Sequence, residues 1–401
     1  MLLNYRVLVV YLITALAFGV AGARGLTIPL YADQLGATRG EIGLLFSTFT
    51  ITGALLSLPS GVLADRFGRR NMVVFSLLAI TVSQVLAGTT HDVRLLFVSQ
   101  LIGGLGGGAA QTSLMATLAD QVPMERIGRA MGWLTLSLQV GFLAGPAVAG
   151  ILLRWVSLQT DILVTTVPIL VALLLSVTVS GRNAAKGASL QIWRPVRSLA
   201  VQPGFYALVI VFLAATMLWG TFQAYIPVLG KRSFGISATE VGYLLAIQAV
   251  VNGASRIPAG RILDRIRRKG TIASLAVCGF AVALLILPHL HGFWTPTVLM
   301  VAAVPLIATG FIAISISFVQ MAPADSRGAA MGVYSTILFL GLGAGPAIFA
   351  PLMDRSFIAG FSACALSGAA LATVALLARI EPIRSRLAPD GAQPADAMTS
   401  R

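Results

Sequence analysis

Gln248, Asn252 and Arg256 fall at i, i+4 and i+8 in an otherwise apolar stretch. On a helix that spacing draws them into one narrow stripe, which either lines a polar cavity or satisfies backbone carbonyls. Arg24 is a second cation inside an apolar run, just before "LTIPLY". It either pairs with Asp33, reaches outward to water, or meets a polar substrate. Gln139 and Gln223 are single amides in apolar surroundings, read equally as glue between helices or as site lining. Trp219, with Phe222 and Tyr225, forms either an aromatic wall or an interfacial belt. These groups bind; none is a nucleophile with a base beside it. There is no phosphate-binding loop and no zinc-spaced His/Cys set, and Cys278 and Cys364 lie far apart. No enzyme activity, cofactor or metal is expected.

The elements that hold these residues must lie in a membrane. Of 401 residues, 57% are hydrophobic and 10% charged, whereas roughly a quarter of a soluble domain is charged. Apolar blocks such as 71–88, 162–180 and 271–288 approach the ~20 residues that a membrane helix needs. The fold class expected is all-α and polytopic. Its twelve spans are 7–31, 40–64, 71–90, 93–118, 127–153, 162–180, 204–229, 238–263, 270–288, 296–319, 328–353 and 357–379. The first apolar stretch outruns a signal peptide's core despite Ala21-Gly22-Ala23, so it is read as a retained span.

The net charge of +14 raises nucleic acid as a partner, and its placement removes that reading. With the N-terminus inside, twenty of the 28 Lys and Arg fall on the cytoplasmic side and six outside; Arg24 and Arg256 lie within spans. That is the positive-inside bias of a protein of the cytoplasmic (inner) membrane with both termini cytoplasmic. The partners expected are membrane lipid, a small-molecule solute and protons, with a monomer as the functional unit. Residues 1–180 form one six-helix bundle and 204–379 a second. Residues 181–203 are a basic cytoplasmic linker, and 380–401 a disordered tail.

The two bundles repeat each other. "GVLADRFGRR" at 61–70 recurs as "GRILDRIRRK" at 260–269, and "GWLTLSLQVGFLAGP" at 132–146 as "GVYSTILFLGLGAGP" at 332–346. An even number of spans per repeat makes the halves parallel. Each decapeptide joins spans 2 and 3 of its half, where a short loop needs glycine for close approach. Asp65 can accept from amides at a helix N-terminus, for instance that of span 11, and Arg69 can pair with Asp120 at the inner end of span 4. Gly61, Asp65, Arg66, Gly68, Arg69, Arg70 and Asp120, with Gly260, Asp264, Arg265 and Arg268, are either a cytoplasmic gate or a plain basic anchor. Arg267 replaces Gly68 and Gln320 replaces Asp120 in the second copy, which weakens its latch. Gly132, Gly141, Gly145 and Pro146, echoed by Gly332, Gly341, Gly345 and Pro346, give small helix faces with a proline bend.

These motifs resemble those of the major facilitator superfamily, whose members carry G-x-x-x-D-R-x-G-R-R between helices 2 and 3. The resemblance runs from span 1 to span 12. It implies two six-helix bundles in alternating access and a gating role for the decapeptide. The pattern in span 5 is similar to the antiporter motif of efflux members. Many members carry an arginine ahead of the glycine run in span 4, linked to proton transfer; Gln100 stands there.

All fourteen acids fall at helix ends, in loops or in the tail. A proton-coupled pump needs a desolvated carboxylate or histidine, and the nearest candidates are Asp33, Glu41, Glu240 and His289, each equally a loop or cap residue. The function expected is efflux of a small organic solute or drug against protons. A second reading is a carrier for an anionic metabolite that uses Arg24 and Arg256, by uniport, symport or exchange. A third is a membrane sensor that does not transport.

Overall fold

The computed structural model describes residues 5–123, 126–179, 200–266, 268–321 and 327–378. Linker residues 181–199, the tail 380–401 and Arg267 lie outside the described residues, as do the side chains of Asp65 and Arg327. Twelve helices are described: α1 (Tyr5–Gln34), α2 (Arg39–Phe67), α3 (Arg69–Thr89), α4 (Val93–Gln121), α5 (Ile127–Leu152), α6 (Leu158–Ser176), α7 (Phe205–Leu229), α8 (Ala238–Arg265), α9 (Lys269–Ile286), α10 (Trp294–Met321), α11 (Arg327–Arg355) and α12 (Phe357–Leu377). There is no strand among the described residues. Eleven of the twelve are long and apolar enough to cross a membrane. The other is α8, whose middle carries Gln248, Asn252 and Arg256.

Capping chemistry sets matched starts in the two halves. Thr38 accepts from the Glu41 amide while Glu41 reaches back to the Thr38 amide; Ser237 and Glu240 do the same for α8. Such reciprocal caps satisfy two amides that a helix start leaves open. Each follows a left-handed glycine, Gly36 at φ 85° and Gly235 at φ 70°.

Several helices outrun the predicted spans. At 29 residues α2 rises about 43 Å, beyond the ~30 Å hydrocarbon core, so its end stands in water where charged residues stay helical. The first decapeptide is therefore not the expected multi-residue loop. Gly68 alone turns the chain, at φ 93°, a conformation that an L side chain resists. Gly260 was expected to allow close approach, but open space surrounds it. Span 6 begins earlier than predicted, because Ser157 caps Leu158 onward. It is interrupted at Thr165, three residues before Pro168, which cannot donate to the Val164 carbonyl.

In the first half α1 packs on α5, and α4 on α2 and α3. In the second α7 packs on α11 and α12, and α10 on α8 and α9. The halves meet where α2 crosses α11 and α5 crosses α8. One hydrophobic core runs through the second half and joins it to the first, bringing Leu26, Leu30 and Ile42 together with Phe222, Tyr225 and Phe357. A separate core, with Val10, Ile13, Leu77 and Leu118, fills the inner part of the first half alone.

Candidate functional site

The outer closure is built twice, once from each repeat. A Cβ on Gly242 of α8 would stand 2.8 Å from the Pro146 carbonyl oxygen and 2.9 Å from Gly150 Cα. A Cβ on Gly43 of α2 would meet Tyr225 and, at 3.1 Å, the Pro346 oxygen. The glycine–proline patterns thus work on two sides. Gly141 and Gly145 sit on the α1 backbone at Ala15, Gly19 and Ala23, and Gly341 and Gly345 on α7 at Thr216 and Met217, while each proline carbonyl faces the other half. Around these crossings Ser47 Oγ donates to Gly343 O at 2.7 Å, and the Gly40 amide to Asp354 Oδ1 at 2.7 Å. Arg154 donates to the Tyr243 hydroxyl at 2.8 Å. Asp33 lies 2.5 Å from Arg232 and 3.5 Å from Lys231. The two halves are therefore clasped to each other at this end by the crossings and by these bonds.

Arg24 does neither of the things expected of an unengaged arginine. It is buried, and its partner is not Asp33. Its guanidinium donates to Gln84 Oε1 at 2.5 Å and to Gln100 Oε1, and lies 5.5 Å from the centre of the Phe49 ring. Gln84 passes the network on, donating to Thr165 Oγ1 at 3.2 Å and Ile162 O at 3.4 Å, at the interruption in α6. Gln100 donates to Leu45 O at 3.4 Å. Gln84 was not singled out in the sequence, though it is an amide in an apolar span. Beside Arg24 is a cavity of ≈ 60 Å³ lined by α1, by Phe46 and Phe49 of α2, and by Gln100. That is room for a few waters or one polar head group.

In the second half, Arg256 Nε donates to Asn252 Oδ1 at 3.2 Å, so two members of the predicted stripe do meet. Gln248 and Asn252 are buried, while Arg256 is exposed. Its helix, α8, packs chiefly on α5 and α10. Gln139 is half-buried on α5, and the Gln223 oxygen is buried without a partner. Trp219 does not join these groups. It packs with Phe222 and Phe280, 5.4 and 5.8 Å between ring centres, in the seam between α7 and α9. The Tyr225 ring is fully buried against Phe357 and Phe361, so the three aromatics form neither one wall nor a lipid-facing belt.

At the inner ends Arg69 Nε donates to Asp120 Oδ2 at 3.1 Å, tying α3 to α4 within one half. Arg66, Arg70, Asp264, Arg265 and Arg268 are exposed. Of the expected proton-coupling groups, Glu41 and Glu240 serve as caps, His289 is exposed, and Asp33 is held by the other half's cations. The acid that sequence reasoning missed is Asp161, in the first turn of α6. It is fully buried, and neither carboxylate oxygen has a hydrogen-bond partner.

Two parallel six-helix repeats clasped at one end, with cations and amides inside, define a secondary transporter of the alternating-access kind. The chain matches the model of the Major Facilitator Superfamily over residues 9–346 and again over 230–399, and it belongs to that family. Multidrug resistance protein 1 of Bacillus subtilis (strain 168) is 23% identical over 248 residues, 61% of this chain. The match spans 63% of that relative, less than two thirds of its length. Quinolone resistance protein NorA of Staphylococcus aureus (strain Mu50 / ATCC 700699) is 24% identical over 371 residues, 88% of this chain and 91% of NorA. The crystal structure of the nucleoside transporter NupG has the same fold, with a TM-score of 0.74 at 14% identity over 93% of this chain and 98% of that one. A bacterial homolog of the human lysosomal transporter Spinster, inward-facing and occupied, gives 0.73 at 16% over 96% and 98%.

Proposed function

We propose that the protein exports a small amphipathic organic solute or drug across the cytoplasmic membrane, exchanging it for protons. The chain acts as a monomer with both termini in the cytoplasm. The observation that carries the reading is the doubled glycine–proline closure. In this reading it closes the outer side, with a small cavity edged by the Arg24 guanidinium behind it. The relatives named for drug resistance support the outward direction. Gln139, Gln248, Asn252 and Arg256 line the path in this reading, and the Arg69–Asp120 pair stiffens the inner end that must close when the outside opens.

The sign of the coupling discriminates among the acids. In an exporter that exchanges cargo for protons, a proton bound outside must favour the inward-open form. Neutralising Asp33 instead releases Arg232 and Lys231 and favours opening outside, so Asp33 is a latch. The proton carrier in this reading is Asp161, the one fully buried carboxyl among the described residues that has no donor. An isolated carboxylate so placed is costly, which ties its charge to the opening of the helices around it. The test is efflux of a fluorescent drug from proteoliposomes after an imposed pH step. The step is expected to accelerate wild-type flux and to leave Asp161→Asn flux unchanged. Wild-type flux indifferent to the step defeats the antiport reading.

A further inference from the structure

Resting on the export reading, the charge inside the bundles points to the class of cargo. We propose that the transported solute is an aromatic organic anion, a carboxylate or sulfonate, whose anionic group docks on Arg24 and whose ring lies along Phe46 and Phe49. Two guanidinium groups stand within the spans, Arg24 in the first half and Arg256 in the second. The described acids are at the ends. Asp33, Glu41, Asp92, Glu240 and Asp354 flank outer helix ends, and Asp120 and Asp264 inner ones. Asp161 is in the outermost turn of α6, separated from Arg24 by Gln84, which hydrogen-bonds to both Arg24 and the adjoining Ile162 carbonyl. Arg24 is thus held by two neutral amide oxygens and a ring face, with no carboxylate among its bonded partners. A buried cation held only by neutral groups keeps most of its desolvation cost and gains strongly from an anion.

The size of the cavity decides what enters. At ≈ 60 Å³ it has room for a carboxylate or sulfonate head. The rest of the molecule must extend along the apolar lining, which includes Phe46 and Phe49. Arg256, on the second half and hydrogen-bonded to a neutral amide in its own stripe, adds a second positive charge within the spans, which favours anions. The same two charges repel a lipophilic cation. The inside-negative membrane potential helps: each negative charge carried outward gains about 2.3 kcal/mol per 100 mV.

The test uses the full chain in proteoliposomes with three probes: an anilinonaphthalene sulfonate, an uncharged amide of matching ring size, and the cation ethidium. The sulfonate is expected to be carried at least about tenfold faster than ethidium. Arg24→Gln is expected to slow the sulfonate by roughly tenfold, the loss of a charge-assisted contact, and the amide by clearly less, while Arg24→Lys recovers part of the sulfonate flux. Ethidium carried in preference to the sulfonate overturns the proposal and leaves export standing. So does equal slowing of sulfonate and amide by Arg24→Gln in protein of unaltered melting temperature, since Arg24 then only staples helices. Transport of none of the three by folded wild-type protein overturns the export reading as well.

Discussion

Asp33 holds two cations from the opposite half, and neutralising it is the gentlest way to loosen the outer closure. Because Lys231 and Arg232 are nearly half exposed, water screens both pairs and the effect is modest. Asp33→Asn is expected to raise the reaction of an outer-cleft cysteine with an impermeant maleimide a few-fold without blocking transport. Arg69 and Asp120 are better shielded, at 16% and 25% side-chain exposure. Asp120→Arg is expected to reduce transport severalfold, and the exchange Arg69→Asp with Asp120→Arg to restore much of it. Failure of the exchange to rescue would remove the pairing from the mechanism. That pair was legible in the sequence because a motif fixes one partner and a helix end the other. The surroundings of Arg24 were not. Asp33 lies nine residues further on, about 13 Å along the helix, beyond easy reach, and the real partners come from α3 and α4. Asp161 was hidden for a different reason: its burial follows from the Ser157 cap, which starts α6 a turn earlier than hydropathy indicates.

At the scale of elements, the sequence pattern located all twelve helices, although α8 falls short of the other eleven in apolar character. What the pattern missed were boundaries, since a charged helix end in water looks like a loop. The break in α6 was missed too, although Pro168 announces it. The matched T-x-x-E and S-x-x-E starts of α2 and α8 were readable as a further echo of the repeat, and each cap contributes about 1 kcal/mol. Thr38→Ala and Ser237→Ala are each expected to lower the melting temperature of the purified protein by a similar small amount, because the two caps are equivalent. The crossings answer more sharply. Gly242 faces a carbonyl and a Cα rather than a flexible side chain, so nothing can yield to a new Cβ without parting α5 from α8. Gly242→Leu is expected to insert normally and to lose transport by tenfold or more. Gly132→Ala, in open space on α5, is expected to be silent. A Gly242→Leu protein that transports at the wild-type rate would show that the crossing is not needed for the cycle.

Across the whole molecule the two repeats share a closure and divide the charge. Pro146 with Gly242 and Pro346 with Gly43 are the same contact related by the repeat, so the outer face shuts about the pseudo-twofold axis with equal contributions from each half. The charge is unequal: the first half carries a tied, buried guanidinium in Arg24, and the second an exposed one in Arg256. An alternating-access cycle that opens the outside must break both crossings together, because each half moves as a packed body and neither crossing can part alone. This predicts a reciprocal labelling pattern. With Cys278 and Cys364 replaced by alanine, a cysteine at Arg256 should react with impermeant maleimide from the cytoplasmic side of everted vesicles. The same cysteine combined with Gly242→Leu should react several times more slowly from that side, and a cysteine at Tyr243 faster from the outer side. If Gly242→Leu changes outer accessibility alone, the halves are not rigid. The two crossings would then be independent contacts and not one gate.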